Sequence, residues 1–207
     1  MNEKEINFRC INISLVISGI LLITWWILLG ISQVFSNSGD SLSQLVQSSN
    51  WIPINIIGLI AALFLVIGLM RILFEEESSS GLLGFLGVVL SIFGVVLFTA
   101  VQFEETFVWP LLAKHSDNLL EYNGPMFTNL SWLSIYIIMG VLFALGFIFI
   151  ALHSLRRNIF PRIPSVLMMI GALTFSGGLY VPLMIRTIGL IFLSISFIWI
   201  GFFKLKN

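Results

Sequence analysis

The chain has 207 residues, 58% hydrophobic and only 10% charged, with a formal net charge of zero. A soluble domain carries about 25% charged residues, so this chain lacks the polar surface to cover a globule of its size. The charge balance gives no electrostatic basis for nucleic-acid binding, and the single cysteine, Cys10, excludes an internal disulfide or a paired-cysteine redox site.

Several apolar runs exceed 18 residues, the length that marks a membrane-spanning helix. The first span, 11–31, follows Lys4 and Arg9. It is longer than the roughly 7–15-residue apolar core of a signal peptide, and Gly30-Ile31-Ser32 is a poor cleavage site, so it reads as a retained span. Trp25 and Trp26 lie two-thirds along it, where interfacial indoles are expected. Residues 32–50, with Asp40, read as a polar loop. The second span, 51–73, opens on Trp51 as an interfacial anchor. It tolerates Pro53 in its first turn, where the missing N–H has no helical partner. Arg71 closes it, and the run Glu75-Glu76-Glu77-Ser78-Ser79-Ser80 reads as a turn.

The third span, 82–102, carries Gly84, Gly87, Ser91 and Gly94 on one helical stripe. Such a stripe lets another backbone approach closely, which is how helices associate in lipid; the alternative is the ordinary abundance of glycine in membrane helices. Residues 103–130 form the longest polar excursion. Within it 106–120 is amphipathic, with Pro110 fit to start a helix and Trp109 suited to headgroups. It reads as a short helix on the outer membrane surface, either an ordinary connection or a lid over the bundle. Asn123-Gly124-Pro125 turns the chain back into a fourth span, 131–153.

Residues 163–203 would reach about 60 Å as one helix, twice a hydrocarbon core of about 30 Å. They therefore hold two spans, 163–180 and 183–203, with Pro164 in a first turn and Gly177-Gly178-Leu179-Tyr180-Val181-Pro182 between them. The expected fold is all-α, a single-domain six-helix transmembrane bundle with a short amphipathic outer-surface helix.

Lys and Arg set the orientation. Lys4, Arg9, Arg71, Arg156, Arg157, Arg162, Lys204 and Lys206 fall on one side, and only Lys114 and Arg186 on the other. Both termini are expected in the cytoplasm, in a multi-pass protein of the cell membrane whose partner is the lipid bilayer. A weak parallel repeat relates the 51–98 and 132–179 hairpins through Trp51-Ile-Pro-Ile-Asn-Ile-Ile and Trp132-Leu-Ser-Ile-Tyr-Ile-Ile; chance similarity between apolar segments is the alternative.

Chemistry-bearing residues are few. His115 and His153, the two histidines, fall on opposite sides of the membrane and cannot share a haem. No HExxH, GxSxG or phosphate-cradling glycine loop occurs, so no catalytic residue, metal site or cofactor is expected. Asn55, with Gly58 and Ala62 on one face of the second span, reads as an interhelical hydrogen-bonding residue. One outer-face polar cluster is a candidate binding site: Glu104, Glu105, His115 and Arg186. Arg186 sits at the apolar boundary, where an ionisable group is costly and seeks a partner. It is expected to pair with Glu104 or Glu105, docking the sixth span on the third or contacting a ligand; the alternative is snorkelling to headgroups.

Trp51-Ile-Pro-Ile-Asn, the glycine stripe, and Glu105-Thr-Phe-Val-Trp-Pro-Leu-Leu-Ala113 followed by Gly124-Pro125-Met-Phe together resemble small six-span membrane proteins of bacteria with no assigned activity. The resemblance implies no catalytic residue. The functional expectation is a non-enzymatic interaction, sensory or protective membrane protein. The rival is a small carrier or channel for a small or lipid-like molecule, and a membrane-embedded enzyme comes third. A polar cavity reaching mid-bundle favours the carrier; a tightly packed interior favours the interaction protein.

Overall fold

A computed structural model describes residues 3–35, 42–79, 81–120, 124–177 and 182–206, and every regular element among them is helical. In chain order these are α1 (Glu3–Phe35), α2 (Leu42–Gln47), α3 (Trp51–Ser79), α4 (Leu82–Phe107), α5 (Trp109–His115), a 3-10 turn at Asp117–Leu120, α6 (Pro125–Thr128), α7 (Leu130–Arg157), α8 (Arg162–Ser176) and α9 (Leu183–Lys206). Five stretches are long and apolar enough to cross a membrane: Asn12–Ile31 in α1, Trp51–Met70 in α3, Leu82–His115 through α4 and α5, Leu130–Arg157 in α7 and Met184–Phe203 in α9. The sixth, α8, is 15 residues long, about 22 Å at 1.5 Å per residue.

The six long helices form a closed ring. Each packs on its neighbours in chain order, α1 on α3, α3 on α4, α4 on α7, α7 on α8 and α8 on α9, and α9 returns to α1. Neighbours are antiparallel. Leu15 lies against Gly68 and Trp25 against Gly58 across α1 and α3, while Val16 lies against Gly201 across α1 and α9. The start of α1, the end of α9 and the α3–α4 and α7–α8 turns therefore share one end of the bundle. At that end Gly81 approaches the ring of the buried His153, so His153 and the exposed His115 lie at opposite ends.

The outside of the ring is apolar. Phe93 is 59% exposed and Leu173 61%, and Ile20, Leu63, Ile138 and Phe202 are also turned outward. A monomer in water rarely shows a continuous apolar surface of this kind. Several long apolar helices with greasy outer faces suggest a membrane-embedded protein.

The most extensive helix contact is that of α4 with α7, and the glycine stripe explains it. Gly84, Gly87, Ser91 and Gly94 are all buried. A Cβ at Gly87 would stand 2.7 Å from the Ile150 nitrogen, and one at Gly94 would stand 2.6 Å from the Phe143 nitrogen. Backbone meets backbone at both positions, so the stripe is a packing face.

Several boundaries differ from the sequence expectation. Helix α3 continues to Ser79 through the three glutamates read as a turn; Glu propagates a helix well, and the link to α4 shrinks to two residues. Helix α4 runs past 102 to Phe107, because Val108 stays helical and its N–H bonds the Glu104 carbonyl at 2.8 Å. Glu104 and Glu105 thus sit on a helix rather than in a loop. Helix α2 breaks the supposed polar loop 32–50; Leu42, Leu45 and Val46 already show helical spacing, and the latter two are buried. Helix α8 stops at Ser176 rather than at 180. Asp40, residues 178–181 of the expected turn, and the side chains of Arg71, Glu75, Glu76 and Glu77 lie outside the described residues.

Four tryptophan placements also differ, that of the expected interfacial anchor Trp51 among them. Trp25 and Trp26, expected at an interface, are buried in the bundle at 3% and 9% exposure. Trp109, expected among headgroups, is buried and stacks on the buried Trp51 with ring centroids 6.3 Å apart. The short elements at this end build a cap with its own apolar core of Leu45, Val46, Trp51, Trp109, Ala113 and Leu120. Gln47 ties α2 to α5 by donating to the Ala113 carbonyl at 2.9 Å.

The α7–α8 turn depends on one left-handed residue. Asn158 has φ 54° and ψ 39° and returns its N–H to the Ser154 carbonyl. A β-branched residue there is strained by about 1–2 kcal/mol, whereas glycine is not. Asn158→Val is expected to lower the thermal melting temperature and Asn158→Gly to leave it unchanged or slightly raised.

Candidate functional site

Five of the six ring helices border a cavity of about 540 Å³ in the half of the bundle nearest the cap. That volume lies within the roughly 300–1,000 Å³ typical of small-molecule pockets. Its inner part is aromatic. Trp25 and Trp26 are consecutive on α1 and point about 100° apart, one toward α3 and α4, the other toward α9. Their rings meet edge-on at 5.4 Å. Phe98 of α4 abuts Trp25 at 6.1 Å, Phe175 of α8 abuts Trp26 at 6.0 Å, and Phe143 of α7 meets Phe175 at 5.8 Å.

Polar groups gather at the cap end of this aromatic floor. Asn55 of α3 is buried, and its Oδ1 accepts from Trp25 Nε1 at 3.2 Å and from Gln102 Nε2 at 2.8 Å. Its amide donates back to the Trp51 carbonyl at 2.9 Å. Trp51 Nε1 donates to the Glu105 carbonyl at 2.8 Å, and the Tyr136 hydroxyl donates to Glu105 Oε1 at 3.1 Å. These bonds tie α1, α3, α4 and α7 together around one buried amide. In an apolar interior such groups stay bonded, because an unpaired one is costly.

Arg186 enters from the first turn of α9. Its guanidinium carbon lies 5.5 Å from the centre of the Trp26 ring, a cation–π distance. The Trp26 indole is held in turn by donating to Thr187 Oγ1 at 2.8 Å. Arg186 and Glu105 line the same cavity, close enough for their charges to interact.

The sequence-level cluster thus divides. Glu105 of α4 and Arg186 of α9 are brought to the same cavity. Glu104 is partly buried and does not line it, and His115 is exposed on α5. Sequence reasoning missed Gln102 and Tyr136. Gln102 lies one helical turn before Glu105 on the same face, a signal hidden by ending the span at 102. Tyr136 showed only as part of a repeat. Among the described residues no group of three His, Cys, Asp or Glu stands where it could hold a metal ion.

The cavity opens sideways. Ile137, Val141 and Leu173 line it and are also 48%, 49% and 61% exposed on the outer face. They belong to α7 and α8, whose contact is the least extensive of the six around the ring. Along α7 the lining runs from Leu133 to Ala144, about 16 Å at 1.5 Å per residue. The cavity therefore reaches well into the bundle. The described cap residues do not line the cavity, so the cap encloses its own apolar core beside it. No family model, no curated protein and no solved structure matches this chain.

Proposed function

We propose that this chain is an integral membrane protein that holds a small lipid-like molecule inside its helix bundle, as a binding or carrier protein rather than an enzyme. Six helices span the bilayer, with α8 as the shortest, in a multi-pass protein of the cell membrane. The end bearing Arg156, Arg157 and Arg162 faces the cytoplasm together with both termini, by the excess of Lys and Arg there. The cap then lies on the outer side.

One observation carries the binding reading: a cavity of about 540 Å³ with aromatic inner walls, a polar cap end, and lining residues of α7 and α8 that are also exposed, which we read as its mouth. An apolar pocket with a few convergent polar groups is the usual form of a small-molecule site. A protein acting only through its outer surface has no use for such a void, because empty space in a core lowers stability. Clustered ionisable groups, which an enzyme needs, are limited on this wall to Glu105 and Arg186.

The test is to fill the space. Ala144 borders the cavity, and Ala144→Trp removes much of it. Wild-type protein, exchanged through fresh detergent and examined by native mass spectrometry, is expected to retain a bound small molecule that the variant has lost at unchanged helicity. Leu173→Trp at the mouth serves if the interior rejects the larger ring. Equal retention by wild type and both variants would sink the proposal.

A further inference from the structure

We infer that the α7–α8 turn binds the phosphate of an anionic phospholipid in the cytoplasmic leaflet through Arg156, Arg157 and Arg162. The inference uses the membrane orientation proposed above and is independent of the cavity.

The fold of the turn brings the three arginines together. Arg156 and Arg157 end α7, and Arg162 begins α8. Ser154 Oγ meets Ser165 Oγ at 3.1 Å, so the two helices touch three residues before Arg157 and three residues after Arg162. Arg157 and Arg162 therefore stand about one helical turn beyond the same contact. All three arginines are exposed, and among the described residues none of them makes a hydrogen bond or an ion pair. Arginine is always charged, so their positive charges repel one another and no described side chain neutralises them.

The turn that carries them is braced. The Phe160 N–H donates to Ser154 Oγ at 3.0 Å, and Ser165 Oγ donates to the Pro161 carbonyl at 3.0 Å. The buried Ser196 of α9 donates to the Pro164 carbonyl at 2.8 Å, which pins the start of α8 from a third helix. A platform held in this way loses little freedom on binding, and guanidinium groups meet phosphate oxygens two at a time. Setting the orientation of the chain requires none of this. Lysine serves that purpose as well as arginine, on a loop of any shape.

The surface next to the arginines points to a lipid. Ile163, Val166, Ile170 and Leu173 follow on α8 at helical spacing, and all are exposed. They form an apolar strip about 15 Å long, half of a hydrocarbon core of about 30 Å. Cationic groups at the boundary above a strip one leaflet deep match a phospholipid standing beside α8. Basic sites at the cytoplasmic ends of membrane helices recognise anionic headgroups in this manner.

Full-length protein is equilibrated in nanodiscs holding equal amounts of phosphatidylglycerol and phosphatidylcholine with identical chains. It is then extracted into detergent, and its retained lipids are counted by native mass spectrometry. Wild type is expected to retain phosphatidylglycerol over phosphatidylcholine by roughly tenfold. The triple variant Arg156→Gln/Arg157→Gln/Arg162→Gln should lose that preference. Arg156→Lys/Arg157→Lys/Arg162→Lys keeps the charge, and with it the orientation, but should lose most of the preference. Lys114→Gln, at the opposite end, should change nothing. The substituted side chains are exposed, so the core is not disturbed.

Equal retention of the two lipids by wild type overturns the inference. A preference that survives in the glutamine variant also overturns it, by placing the site elsewhere. One that survives undiminished in the lysine variant reduces it to diffuse charge and overturns it too. Displacement of the retained phosphatidylglycerol by millimolar glycerol phosphate overturns the lipid assignment in favour of a soluble phosphate ester. None of these outcomes bears on the cavity, which Ala144→Trp tests separately.

Discussion

Gly94→Leu is expected to destabilise the protein by about 3 kcal/mol, the upper range for overpacking a tight interface. Even the first carbon of the new side chain would stand 2.6 Å from the Phe143 nitrogen and 2.7 Å from its Cα. Those are backbone atoms, which cannot turn aside as a flexible side chain can. Helices α4 and α7 must separate along their length, and the contacts around Gly87, Ile150 and Gly146 go with them. In lipid this loss is serious, because helix association there relies on close packing and not on exclusion of water. Ala100→Leu is the control. Ala100 is on the same helix but exposed, and it should change stability by less than about 0.5 kcal/mol. Denaturation by SDS followed by far-UV circular dichroism measures both. Equal stability of the two variants would show that the stripe does not hold the pair together.

Asn55→Leu is expected to cost about 2 kcal/mol, because it strands two buried donors at once. Trp25 Nε1 and Gln102 Nε2 both point at its side-chain oxygen. Gln102→Leu alone should cost less, since Asn55 keeps its bonds to Trp25 and to the Trp51 carbonyl. The double variant is the informative one. Replacing both partners by apolar groups removes the unpaired Gln102 amide, so the double substitution should be milder than the sum of the single ones. Strict additivity in the same denaturation assay would mean that the Asn55–Gln102 bond contributes nothing. The network also sets the cavity wall, because Gln102 and Glu105 share one face of α4.

The membrane-compatible helices were legible because they rest on a simple quantity, the length of uninterrupted apolar sequence. The glycine stripe was legible for a related reason: spacing alone puts Gly84, Gly87, Ser91 and Gly94 on one face. The expected role of Asn55 agrees with its bonds to α1 and α4. Boundaries were harder. Glu75 to Glu77 and Glu104 to Glu105 look like loop residues by polarity, yet Glu favours helix, and α3 and α4 run through them. Tryptophan placement failed because indole preference for an interface is a tendency, and here a bonded partner outweighs it for three rings, Asn55 for Trp25, Thr187 for Trp26 and the Glu105 carbonyl for Trp51, while Trp109 is buried by stacking on Trp51. The cavity itself had no sequence signature. Its walls come from α1, α4, α7, α8 and α9, and a void is defined by where side chains are absent.

The contact of α9 with α1 also bears on biogenesis. Five helices can be laid down in chain order, each docking on the one made before it, but the bundle stays an open arc until the last emerges. During that interval the side of α1 bearing Asn12 and Val16, both buried in the finished protein, has no neighbour to cover it. The seal then forms by a single long-range event, Gly201 closing on Val16 and Ser194 on Gly19. Late helix docking, rather than early hairpin formation, should therefore be the step at which quality-control proteases intercept this chain.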